Sequence, residues 1–163
     1  MKIYTKTGDE GETGLYKGGR VKKDSALICA LGDIDELNSV MGVCRAYSTE
    51  NSLANILITV QKDLMALSAE LAGADSDKQV NAEKLENWID ELSEGQPEQH
   101  DFVIPGDGKE GAYFHMARSV CRRAERSVVS LNNSEDVNPE IMKYLNRLSD
   151  LLFVMGRLVE DNG

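Results

Sequence analysis
The chain has 163 residues and a mass of 18.0 kDa, 41% hydrophobic and 28% charged, and carries a formal net charge of −10. That length fits one domain with a core of its own, and the acidity argues against general nucleic-acid binding, which needs a basic footprint. No apolar run approaches the ~20 residues that span a bilayer, and three cysteines without a CxxC pair argue against a disulfide framework, so a reducing, cytoplasmic setting and no membrane partner are expected.

The first segment is polar and glycine-rich. "TKTGDEGETGLY", residues 5–16, holds three glycines and three threonines and shows neither helical nor strand periodicity. It follows no apolar stretch of the kind found in a signal peptide. Only "KIYT" hints at a strand. Residues 1–23 carry six basic side chains (Lys2, Lys6, Lys17, Arg20, Lys22, Lys23) against Asp9, Glu10 and Glu12, which makes the segment +3 and the remainder −13. A basic, glycine-rich patch on an acidic protein suits a small anionic ligand.

From about residue 24 the pattern turns helical. Leu27, Leu31, Ile34, Leu37, Met41 and Cys44 recur at three- and four-residue steps, as do Leu53, Ile56, Leu57, Val60, Leu64, Leu67 and Leu71. Leu85, Trp88, Ile89 and Leu92 mark a shorter helix that ends before Gly95 and Pro97. After the loop "HDFVIPGDGK", a fourth helix carries Tyr113, Ala117, Val120, Cys121, Ala124, Val128 and Leu131 and stops at Asn132-Asn133. A fifth begins near Pro139 with Ile141, Leu145, Leu148, Leu152 and Met155. Four long helices and a short one predict an all-α, five-helix antiparallel bundle. One domain, 1–163, is expected, with residues 1–23 as a ligand-binding loop and 24–160 as the bundle.

Polar residues interrupt these apolar faces. Arg118, Arg122 and Glu125 lie at i, i+4 and i+7, and His115 extends their stripe; such a face is either a solvated ion-pair ladder or a grip for phosphate. Met142, Asn146, Ser149 and Phe153 form a comparable stripe, in which an amide beside the core needs partners. In "GDIDELNS", Asp35 falls near the buried side, where it pairs with Arg118 or Arg122 or else faces water at a bundle edge. Glu-x-x-His pairs, HExxH, zinc spacings, a Walker A lysine and a nucleophile elbow are all absent, and no metal site built from side chains is expected. What survives is a glycine-rich basic loop that wraps phosphates with backbone N–H groups, beside arginine-bearing helices.

"TKTGDEGETGLY", "GDIDELNS", "FVIPGD", "ARSVCRRAER" and "NRLSD", in this order across essentially the whole chain, resemble the signature segments of the PduO-type ATP:cob(I)alamin adenosyltransferases. The resemblance implies a homotrimer with its active site between subunits. There the 5′-deoxyadenosyl group of ATP passes to the cobalt of a corrinoid with release of triphosphate. It implies Mg²⁺ on the phosphates, a reductase that supplies Co(I), and an adenosylcobalamin-dependent enzyme as consumer.

By matching motif positions, Thr5, Lys6, Thr7, Gly8, Asp9, Gly11 and Thr13 cradle the triphosphate, with Lys22 or Lys23 as a further phosphate contact. Arg122, Glu125, Arg126 and Asn146 form the helical part of the ATP site. Asp35 and Arg118 correspond to an ion pair across the subunit interface. Phe102 corresponds to the phenylalanine under the corrin that displaces the axial base and eases reduction of cobalt; read from the sequence alone it is a loop aromatic at the bundle end.

Three departures stand out. Pro105-Gly106-Asp107-Gly108 replaces the usual Pro-Gly-Gly. Leu27 stands where relatives carry an arginine, a loss for which Arg20 is the nearest compensation. The chain ends at Gly163, and corrin contacts made by a longer tail in relatives are not expected. With Asp107 and Leu27 in view, the alternative reading is a trimeric carrier or sensor of ATP or cobalamin with little catalysis.

Overall fold
The computed structural model describes residues 3–74, 79–97 and 103–161. A two-stranded hairpin comes first: β1 (Glu12–Gly14) pairs antiparallel with β2 (Arg20–Lys22), Thr13 opposite Val21. Five helices follow: α1 (Ala26–Tyr47), α2 (Asn51–Leu71), α3 (Ala82–Ser93), α4 (Lys109–Asn132) and α5 (Pro139–Asp161). The bundle agrees with the periodicity read above. The strand does not. Of "KIYT", the described residues Ile3, Tyr4 and Thr5 form no strand, whereas Glu12–Gly14, inside the loop read as irregular, pairs across the turn. Three-residue strands are too short for alternation to show.

Local chemistry sets the helix ends. The Ser25 hydroxyl accepts from the Ile28 N–H at the start of α1, and Asn81 Oδ1 accepts from the Glu83 N–H at 2.8 Å to cap α3. Asn138 Oδ1 accepts from the Glu140 N–H at 3.0 Å, and Pro139, which has no N–H to lose, begins α5. Glu140 then reaches from the first turn of α5 to accept the Ala82 N–H at 3.1 Å, so the starts of α3 and α5 are tied together.

The core lies where α4 packs on α5 and α1, with α2 outside α1 and α3 against α5. Ile34, Leu37, Met41, Leu57, Leu64, Phe114, Leu145, Leu148 and Leu152 are buried there. Burial holds the Cys121 thiol protonated and pushes that of Cys44 up to about 12, while Cys29 is exposed. One carboxylate is buried among these apolar groups: Asp63 on α2 accepts a 3.0 Å hydrogen bond from the Tyr144 hydroxyl on α5. Desolvation and that carboxylate together raise the Tyr144 pKa, keeping the phenol a donor.

Candidate functional site
The opening loop is shaped by one arginine. Arg20, on β2, donates through Nη2 to the Thr7 carbonyl at 2.5 Å and the Glu12 carbonyl at 3.3 Å, and through Nε to Glu12 Oε2 at 3.2 Å. The Lys23 N–H reaches the Gly11 carbonyl at 2.9 Å, and the Gly11 N–H reaches the Gly8 carbonyl at 3.3 Å. Left-handed backbone occurs at Gly11 (φ +83°), Gly18 (φ +92°) and Gly19 (φ +85°), where glycine is at home, and at Lys6 (φ +61°), where a side chain is strained. Gly8 leaves room for a cation, because a Cβ there would lie 3.1 Å from Lys23 Nζ. Thr5, Lys6, Thr7, Asp9 and Lys22 are exposed, and Gly8 and Thr13 are partly so. The loop thus presents backbone donors and lysines to solvent with its own curvature already set.

A second feature lies on the helices. Arg122, Glu125, Arg126 and Val129 of α4 and Asn146 of α5 line an open cleft of about 290 Å³. Asn146 Nδ2 donates to Glu125 Oε1 at 3.1 Å, which answers the need for a partner that its position raised. Arg122 and Arg126 are exposed and make no ion pair or hydrogen bond among the described residues. The ion-pair ladder is therefore not what "RRAER" builds: two guanidinium groups stand free beside one carboxylate. Such a cleft suits an anion carrying a hydrogen-bonding head. Val129, 47% exposed, supplies an apolar wall. It went unread in the sequence, although it continues the stripe four residues beyond Glu125.

The cobalamin adenosyltransferase family model matches residues 3–159, nearly all of the described chain. The chain belongs to the cobalamin adenosyltransferase family. Cobalamin adenosyltransferase of Cupriavidus metallidurans is 42% identical over 168 residues, covering 99% of this chain and 90% of that protein. The corrinoid adenosyltransferase of Bacillus subtilis is 40% identical, covering 98% and 86%. Among solved structures, a variant PduO-type ATP:corrinoid adenosyltransferase from Lactobacillus reuteri, complexed with cobalamin and ATP, superposes with a TM-score of 0.91 at 31% identity, covering 98% of this chain and 91% of that one.

For a cobalamin adenosyltransferase, the placement of the remaining motif residues is informative. No loop residue from Thr5 to Thr13, nor Lys22 or Lys23, lines the α4–α5 cleft of the same chain. Asp35 is exposed on α1 and makes no ion pair with Arg118 within the chain. The arginine that meets the acidic turn of α1 is neither Arg118 nor Arg122 but Arg123, whose Nε donates to Asp33 at 3.1 Å and whose Nη2 bonds Glu36. Arg118 lies with its guanidinium carbon 5.9 Å from the Phe153 ring centre, and its buried Nε has no hydrogen-bond partner among the described residues.

His115 does not share the exposed stripe. It is buried, with Nε2 3.3 Å from Glu160 Oε2, and close approach of the two helices there depends on Gly111 and Gly156. Leu27 is part of the core and does not line the cleft. Arg20 is spent on shaping the loop rather than held for a phosphate. Asp107 is exposed. Phe102 lies outside the described residues.

Proposed function
We propose that this adenosyltransferase binds ATP between the glycine-rich loop of one chain and the α4–α5 cleft of another in a homotrimer, and there transfers its 5′-deoxyadenosyl group to cob(I)alamin. The observation that carries this reading is the pair of arginines, Arg122 and Arg126, without ion-pair partners among the described residues, beside the Glu125–Asn146 hydrogen bond. The division between chains is supported by two further features. No described loop residue lines the cleft of its own chain, and among the described residues exposed Asp35 makes no ion pair and the buried Nε of Arg118 no hydrogen bond.

Co(I) is the nucleophile. Its electron pair forms the Co–C5′ bond as the C5′–O bond breaks, and triphosphate leaves with that bonding pair. No side chain need move a proton to the cobalt, so the residues act by placement and by charge. Backbone N–H groups of Thr5–Thr13 with Lys6 and Lys22 or Lys23 stabilise the triphosphate as its charge grows; Arg122 and Arg126 hold the cleft side, and Glu125 and Asn146 fix the nucleoside. Mg²⁺ is the counter-ion of such a leaving group. Among the described residues no group of three His, Cys, Asp or Glu side chains could hold a metal by itself, and Mg²⁺ would enter with the triphosphate and supply counter-charge there. Phe102 takes the lower corrin face by its place in the motif.

The reading is tested anaerobically with the protein, MgATP and chemically reduced cob(I)alamin. One triphosphate released per adenosylcobalamin formed is expected. Binding of ATP with the Co(I) absorbance unchanged would favour the carrier or sensor reading, for which Asp107 is the remaining sequence argument.

A further inference from the structure
Asn146 is not held by Glu125 alone. On its other side the Asn146 Oδ1 accepts a 2.9 Å hydrogen bond from Arg147 Nη1, and Arg147 Nε donates to Glu86 Oε1 on α3 at 2.8 Å. Consecutive helical residues point about 100° apart, so this contact requires the arginine to fold back along α5. Glu86 supplies the second anchor that holds it there. The salt bridge is partly exposed, with 37% and 38% of the two side chains accessible, and Arg147 does not line the cleft.

The two ends of the amide are nearly the same shape and differ only in hydrogen-bonding sense. A guanidinium is donor-only and a carboxylate acceptor-only. With Arg147 at one end and Glu125 at the other, one orientation satisfies both contacts. The flipped amide would set N–H against N–H and oxygen against oxygen. The NH₂ group is therefore on the Glu125 side, at the cleft. One of its hydrogens goes to Glu125, and the other, which meets no acceptor among the described residues, is available to a ligand that offers one.

We propose that Arg147, seated by Glu86, is a positioning residue for nucleotide binding: it fixes the amide of Asn146 so that the cleft presents a donor, selecting an acceptor atom of the nucleoside, a ring nitrogen or a ribose oxygen. This gives α3, otherwise remote from the chemistry, a part in substrate recognition. The inference rests on the proposed ATP cleft and adds to it a residue that touches no substrate.

A double-mutant cycle on ATP affinity, measured by titration calorimetry on the whole protein, tests it. Arg147→Met is expected to weaken ATP binding about tenfold when Asn146 is present and by less than about twofold in the Asn146→Ala background. Equal losses in the two backgrounds, or no loss in the first, would overturn the proposal, because a general loosening of α5 acts whether or not the amide is there. Glu86→Gln, which leaves the arginine in place, guards against a failure of Arg147→Met to fold. It is expected to weaken binding about threefold, again only with Asn146 present, and an equal change in both backgrounds overturns the proposal as well. If Asn146→Ala leaves ATP affinity intact, the cleft is not the nucleotide site, and the functional reading fails before the positioning role does.

Discussion

Replacing Arg122 with alanine is expected to lower kcat/KM for adenosyl transfer by about 10²–10³-fold while leaving the fold intact. Arg122 is exposed, engages no carboxylate among the described residues and borders the cleft that holds Glu125 and Asn146. A surface cation with no partner adds little to stability, so its removal costs the protein almost nothing in the free state. Toward a polyphosphate its value is larger, since charge-assisted and two-pronged hydrogen bonds to phosphate oxygens strengthen as charge builds on the leaving group. Arg122→Lys should recover only part of the loss, because an ammonium keeps the charge and gives up the fork. Steady-state kinetics with varied MgATP, alongside thermal unfolding of each variant, checks both halves. A loss in melting temperature that matched the loss in activity would assign Arg122 to the scaffold instead.

The largest effect on stability is expected from Phe114→Ala, about 3–5 kcal/mol. Phe114 is fully buried on α4 in the middle of the bundle core, and its Cβ faces Gly156 of α5, where an added methyl would sit 3.4 Å away. Truncation removes the transfer energy of the ring and opens a cavity that two long, closely packed helices collapse into poorly. Urea unfolding at fixed protein concentration measures it. A cost under about 1 kcal/mol would mean that the α4–α5 seam repacks freely, contrary to the tight fit at Gly111 and Gly156.

The helices were legible because burial imposes a period: every three- and four-residue apolar stripe became an element within a few residues of its marked ends. The hairpin was not, since three residues carry too little alternation and its pairing depends on the turn between Gly14 and Arg20. At the site, the sequence named Arg122, Glu125, Arg126 and Asn146, and the structure brings all four to one cleft. The local run "RRAER" could not say which charges would find partners. Arg123 turns to α1 and is consumed by Asp33 and Glu36, while Arg122 and Arg126 make no ion pair or hydrogen bond among the described residues. His115 was placed on the polar face by its spacing, yet the crossing of α4 and α5 at two glycines buries it against Glu160. Arg147 escaped notice because its role depends on Glu86, a residue 61 positions away that only the fold delivers.

The central claim is that loop and cleft serve one ATP site built from two chains. It is tested most directly by mixing two inactive variants, Lys6→Ala in the loop and Arg122→Ala in the cleft, denaturing and refolding them together, and assaying adenosylcobalamin formation. If each site joins the loop of one chain to the cleft of its neighbour, random trimers regain about a quarter of the wild-type activity, since some sites then draw both intact halves. If loop and cleft of the same chain form the site, every site carries one lesion, and the mixture stays as inactive as its components.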